Sequence, residues 1–228
     1  MKLLISILFL VSGFCLRAQP LLLSGKVLHY KTGLPIPATV VFEKKPDASV
    51  TVISKSDASG YHARIYYRAE YRVKVSSPGF VNEYRDVNLN LDSALFQTKW
   101  DFSLVPIHLN EVLPFSHLLF EVGSARVLPQ SFSELDRLAE ILGENPGIRI
   151  RLEGHTDNQG KGRKSMRLAK RRIASIREYL IGKGINGARI KMKAFGGQKP
   201  LSQSDAPEAH RANRRVEIRV IGMDPEEK

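Results

Sequence analysis

Cysteine is almost missing from this chain: Cys15 is the single one in 228 residues. Tryptophan also occurs only once, and long apolar runs are absent apart from Leu3 to Leu16. That run is shorter than the roughly 20 apolar residues a membrane-spanning helix needs. Lys2 precedes it and Arg17-Ala18-Gln19-Pro20 follows, the pattern of a secretory signal peptide over residues 1–18, cut after Ala18. A lipid-attachment role for Cys15 is disfavoured by Phe14, which stands where such signals carry a small residue. Cleavage would remove the only thiol and exclude both a disulfide framework and a cysteine metal site. The expected product is soluble and exported.

Acidic residues are scarce in one place. Between Asp157 and Glu178 there are eight basic residues and no acidic one. The net charge of +12 falls to +10 once Lys2 and Arg17 leave. Residues 19–105 carry 11 basic against 8 acidic side chains, and residues 106–228 carry 22 against 15. A basic stripe suits nucleic acid, membrane headgroups or an anionic polymer. Export and the lack of an aromatic stacking motif argue against nucleic acid.

Two textures divide the chain. Residues 19–105 offer short alternating runs: Gly25–Tyr30, Ala38–Glu43, Ser49–Ser54, Tyr61–Tyr66, Tyr71–Val75, Tyr84–Leu91 and Phe96–Leu104. Separators such as Asp57-Ala58-Ser59-Gly60 and Ser77-Pro78-Gly79 lie between them, and no helical period intervenes. This predicts an all-β sandwich without an acid/base pair or ligand cluster, a scaffold or interaction module.

Residues 106–228 predict a mixed α/β sandwich in the order βαβαββ. His117–Val122 is a candidate strand. Ser131 and Glu134 have capping-box spacing and open a helix that Gly143 closes, with Phe132, Leu135, Leu138, Ile141 and Leu142 inward. Ile148–Leu152 alternates as a half-buried strand. From about Arg163 to Ile181, Met166, Ala169, Ile173, Ile176 and Leu180 form a helical core stripe. Arg189–Ala194 and Val216–Val220 supply the last strands, with Ile190, Met192, Ala194, Val216, Ile218 and Val220 inward.

The stretch Glu153-Gly154-His155-Thr156-Asp157-Asn158 gathers short polar side chains where the strand pattern stops. The following helix carries Arg172 beside its core stripe. Two readings of Asp157 and Arg172 stand on the residues alone. One is a loop-to-helix salt bridge, worth little if exposed. The other is a zwitterion clamp, with Asp157 taking an ammonium and Arg172 forking onto a carboxylate.

Residues 118–220 resemble the C-terminal domain family of outer-membrane protein A. The resemblance rests on Thr156-Asp157, ten residues, Leu168-Ala169, two residues, Arg172-Ile173, two residues, Ile176, three residues, Leu180. Gly154-His155, Tyr179-Leu180, Lys183-Gly184-Ile185, Gly196-Gly197 with Pro200, and Asn213-Arg214-Arg215-Val216 add to it. The resemblance implies peptidoglycan binding, with Asp157 and Arg172 holding the diaminopimelate side chain of the stem peptide. Thr156, Asn158, Leu168, Asn213 and Arg214 would support the pocket, although Asn213 and Arg214 read equally well as caps and surface charge. Ser165, Ala169 and Ile173 depart from the family's usual Asn, Ser and Ala, which questions how the loop is tied to the helix. Residues 22–104 similarly resemble the carboxypeptidase regulatory-like, or transthyretin-like, domain. Gly25-Lys26-Val27, Thr32–Val40, Ser59-Gly60-Tyr61 and Tyr71–Val75 before Pro78-Gly79-Phe80 carry that likeness, and its family is not catalytic as a rule.

The basic run Lys161, Arg163, Lys164, Arg167, Lys170 and Arg171 reads as an encounter surface for stem-peptide carboxylates, a solvated helix face, or a seat for anionic headgroups. A hydrolase built on His155, Asp157 and Ser165 or Ser175 lacks a nucleophile elbow, and the six histidines have no ligand spacing. No metal, no cofactor and no catalysis are expected. The expectation is a periplasmic, outer-membrane-associated protein whose β-sandwich docks an outer-membrane or secretion-complex protein. The alternative is an envelope scaffold with a degenerate wall pocket.

Overall fold

The structure is a computed structural model describing residues 20–66, 69–89, 99–115, 118–121, 123–157 and 162–223. The expected signal peptide with Cys15, and also Asn158 and Lys161, lie outside the described residues.

Among the described residues from Pro20 to Leu104 the regular elements are strands: β1 (Pro20–Gly25), β2 (Val27–His29), β3 (Ala38–Lys44), β4 (Thr51–Ser56), β5 (Tyr61–Tyr66), β6 (Glu70–Ser76), β7 (Glu83–Asn88) and β8 (Phe102–Leu104). They pair as a four-stranded antiparallel sheet in the order β4-β3-β6-β7, an antiparallel pair β1-β5 and a parallel pair β2-β8. Leu21 and Leu23 on β1, Val40 and Phe42 on β3, and Tyr71, Val73 and Val75 on β6 alternate inward to one buried cluster. The period of two seen in the sequence is the cause, because every second side chain faces the same side of a strand. β1 lies ahead of the first expected strand. Of the expected Phe96–Leu104 strand, only the end forms within the described residues.

The C-terminal region builds a second buried cluster from Ile107 to Val220. Its elements are β9 (Val112–Leu113), α1 (Phe132–Glu144), β10 (Ile148–His155), α2 (Arg163–Gly182), β11 (Ile190–Gly196), α3 (Pro207–Asn213) and β12 (Val216–Met223). The sheet order is β11-β10-β12-β9, with β11 parallel and β12 antiparallel to β10. Helix α2 packs on β10 at Gly154, where a Cβ would lie 2.9 Å from the Ala169 carbonyl oxygen and 3.0 Å from Ile173 Cγ2. Glycine at 154 is what lets helix and strand approach this closely.

Several expectations need correction. The first strand of this sheet is β9, not His117–Val122. Among the described residues of that stretch there is only an isolated bridge, Phe120 to Val127. The chain turns back at once, with Ser124 N–H on the Glu121 carbonyl and Gly123 at φ +68°, so a longer strand has no room. The capping box does not form. Ser131 Oγ accepts the Leu119 N–H at 2.8 Å, and Glu134 pairs with Arg137 at 3.2 Å. Helix α1 runs one residue past Gly143, and Phe132 is partly exposed against Tyr179 rather than inward. Strand β10 continues through Glu153, Gly154 and His155, all buried. On β11, Met192 is exposed while Phe195 is buried, and the short helix α3 was not foreseen.

The two regions meet at α1. Lys74 Nζ lies 2.8 Å from Glu140 and 2.7 Å from Glu144, and Asn82 Nδ2 donates to Glu144 at 2.8 Å. Tyr84 donates to Glu140, and Gly79 N–H donates to Asn145 Oδ1 at 2.6 Å.

Candidate functional site

The site forms where β10 ends and α2 begins. Helix α2 carries Arg172 to the edge of its buried face, where the residue is only 4% exposed. A buried guanidinium must be satisfied. Arg172 Nε donates to the Ser124 carbonyl at 2.9 Å and Nη2 to the Glu121 carbonyl at 3.4 Å. Its guanidinium carbon lies 4.9 Å from the centre of the Phe120 ring. The turn at residues 119–128 therefore fixes the orientation of the arginine. Burial and the charge of Arg214 weaken its hold on its proton, whereas the charge of Asp157 strengthens it.

Asp157 follows Thr156 directly after β10. Its Oδ2 pairs with Arg214 Nη1 at 3.0 Å, and its side chain is 25% exposed. Arg214 sits between α3 and β12 and is the more exposed partner. Among the described residues Asp157 makes no ion pair with Arg172, so the expected loop-to-helix bridge is replaced by a bridge to Arg214. The arrangement is one carboxylate between two guanidiniums, one fixed and buried and one exposed. It carries a surplus positive charge, and the aspartate's present partner is the more exposed of the two guanidiniums.

The supporting residues divide. Thr156 is buried; its N–H donates to the Gly196 carbonyl at 2.9 Å, and its Oγ1 donates to the Asp157 carbonyl at 3.3 Å. Asn213 is fully buried and brackets the loop after β11. Its Oδ1 accepts from Leu201 N–H at 2.7 Å and Ser202 N–H at 3.2 Å, while Nδ2 donates to the Ser202 carbonyl at 2.7 Å. Leu168 is half-buried on α2, and Ser165 and Ala169 are both buried, with Ala169 in the contact with Gly154. Sequence reasoning missed the Glu121 and Ser124 carbonyls and Phe120 as the seat of Arg172. It also took the basic run as a single surface. At 3.6 residues per turn, Arg163, Arg167 and Lys170 lie roughly 160–220° around α2 from Arg172, facing away from it.

His155 is not part of the exposed loop. Its ring is buried and stacked on Phe195 at 5.1 Å and 14°. Burial first, then the Arg215 charge, pushes its pKa down to about 4, so the ring is neutral at neutral pH. Glu153, His155 and Glu217 offer ligand atoms within 4.8 Å of one another. Both carboxylates are already engaged: Arg151 and Arg219 hold Glu153 at 2.5 Å and 3.1 Å, and Arg215 holds Glu217 at 2.6 Å. Three guanidiniums against two carboxylates leave no negative surplus for a cation, and the group reads as an ion-pair ladder across β10 and β12.

Residues 119–214 match the OmpA family model. A peptidoglycan-associated lipoprotein of Rhizobium meliloti is 31% identical over 105 residues, which span 46% of this chain and 59% of that protein. A peptidoglycan-associated lipoprotein of Pseudomonas putida is 33% identical over 100 residues, 44% of this chain and 60% of that protein. The chain thus spans about three fifths of the length of these curated relatives. A crystal structure of the peptidoglycan-associated lipoprotein from Burkholderia pseudomallei aligns at 24% identity and a TM-score of 0.43, over 45% of this chain and 87% of that one. The segment that matches the family model contains Phe120, Asp157, Arg172 and Arg214.

Proposed function

We propose that the protein is a non-catalytic cell-envelope protein that binds peptidoglycan through the diaminopimelate side chain of its stem peptide. The observation that carries this reading is the pairing of a fixed, buried Arg172 with an Asp157 whose only ion-pair partner among the described residues is the exposed Arg214. A side chain bearing an ammonium and a carboxylate suits such a pair. Its ammonium replaces Arg214 on Asp157, and its carboxylate takes the remaining Arg172 donors together with the displaced Arg214. The names and 31–33% identity of the relatives support the same reading. Each charge-assisted contact contributes about 1.5–3 kcal/mol, which gives a single site of modest affinity, about micromolar at best. A continuous wall lattice raises the effective affinity through rebinding.

The chain is read as two domains, 19–105 and 106–228, a division supported by the two separate buried clusters. The first is assigned as the carboxypeptidase regulatory-like β-sandwich that docks an outer-membrane or secretion-complex protein, placing the chain in the periplasm at the outer membrane. Calorimetric titration of the full chain with diaminopimelate-type and lysine-type stem peptides tests the wall-binding reading. Saturable binding that requires diaminopimelate is expected, and equal affinity for the two peptides would overturn it.

A further inference from the structure

The basic face of α2 that points away from Arg172 forms one wall of a separate groove of about 1060 Å³. Arg163, Arg167 and Lys170 line that wall, and Met166, Phe195 and Pro200 give the groove an apolar floor. Lys199 and Lys193 lie over the Phe195 ring, at 4.4 Å and 5.0 Å. None of the described residues that line the groove is acidic. Among the described residues, none of Arg163, Arg167, Lys170, Lys193 and Lys199 has an ion-pair partner. Helix α2 adds to this field, because its first turn carries no acidic residue and its N-terminal N–H groups bear partial positive charge. Three lining cations beside an apolar floor, with Lys193 and Lys199 on the Phe195 ring, repel one another, and an anion is what such a recess accommodates.

The groove is joined to the Asp157 site by its own wall. Thr156 N–H donates to the Gly196 carbonyl at 2.9 Å, Asn213 brackets Leu201 and Ser202, and Arg215 reaches the Lys199 carbonyl at 3.4 Å. The residues on either side of Asp157 and Arg214 therefore shape the loop that closes the groove.

Resting on the proposed wall binding, we infer that this groove is a second subsite for the same polymer, taking stem-peptide carboxylates that the Asp157 and Arg172 clamp does not hold. The recess favours an extended peptide arm over a flat bilayer, whose headgroups meet protruding charges more readily than concave ones. The two subsites divide the ligand: the clamp reads the zwitterionic side chain, and the groove reads the free carboxylates of the peptide backbone.

The test uses the full chain and two diaminopimelate stem peptides, one with a free glutamyl α-carboxylate and one with that group amidated. The protein variants are Arg167→Gln with Lys170→Gln, and Asp157→Ala. Arg167 and Lys170 are exposed and unpaired among the described residues, so the double variant folds as the wild type does. Amidation is expected to weaken wild-type binding by about tenfold, the loss of one charge-assisted contact. The double variant should bind the free-carboxylate peptide about tenfold more weakly than wild type and should not respond to amidation. A wild-type chain indifferent to amidation, or a double variant as sensitive to it as wild type, overturns the groove assignment while the clamp stands. Binding to neither peptide by the wild type, or unchanged binding by Asp157→Ala, overturns the clamp reading itself. Vesicles of anionic phospholipid form the last arm. If the double variant loses vesicle binding but keeps peptide affinity, the groove belongs to headgroup phosphates and the inference fails.

Discussion

Acid should destabilise this protein through His155 before most of its carboxylates are protonated. The ring is buried against Phe195, neither ring nitrogen has a hydrogen-bond partner among the described residues, and its pKa falls from 6.5 to about 4. Because the folded value lies below the unfolded one, the unfolded chain binds the proton first as pH drops. The stabilisation is complete above about pH 6.5 and is lost between there and pH 4. A gap of that size at 1.36 kcal/mol per unit is about 3 kcal/mol. His155→Phe keeps a ring on Phe195 and removes the titration. Denaturant unfolding of both proteins at pH 7.5, 6 and 4.5 isolates the term, because the remaining titrating groups are shared. Relative to the variant, the wild type should lose most of that 3 kcal/mol by pH 4.5. Parallel stability curves would refute the reasoning and would place the ring in contact with solvent or a hidden partner.

Two further substitutions probe the frame of the site. Gly154→Ala forces a Cβ to within 2.9 Å of the Ala169 carbonyl oxygen. Overpacking of this kind costs roughly 1–3 kcal/mol, and because it displaces α2 with Arg172, stem-peptide affinity should fall alongside the denaturation midpoint; an unchanged midpoint would contradict the tight helix–strand contact. Asn213→Ala removes a fully buried side chain that makes three hydrogen bonds to Leu201 and Ser202. Stability should drop by about 2 kcal/mol, with faster amide exchange at Leu201 and Ser202, and protection unchanged there would show that the bracket does not hold the loop.

The fold of the C-terminal region was legible wherever a period governed burial. Ala169, Ile173, Ile176 and Leu180 recur at helical spacing and all are buried. Strand β10 was read too short because the apolar positions give out at Gly154, between Glu153 and His155. They are buried all the same, Glu153 because Arg151 and Arg219 neutralise it and His155 because its ring stacks on Phe195. Neither cause is local in sequence. Asp157 and Arg172 were legible as a pair through their spacing on loop and helix. The true partners were not: Asp157 meets Arg214 from 57 residues away, and Arg172 meets backbone carbonyls, which every residue type carries and which leave no mark in a sequence. The Ser131–Glu134 spacing misled because a tertiary bond from the Leu119 N–H occupies the Ser131 hydroxyl.

The most direct test of the central claim is cosedimentation of the full chain with purified diaminopimelate-containing sacculi, before and after acetylation of their free ammonium groups. Asp157→Asn, which preserves shape and removes the charge, is measured beside the wild type. If Asp157 exchanges Arg214 for a ligand ammonium, the wild type sediments with untreated sacculi, while acetylation or Asp157→Asn each weakens binding by about tenfold or more. Wild-type and Asp157→Asn chains that sediment equally with both preparations would contradict the account.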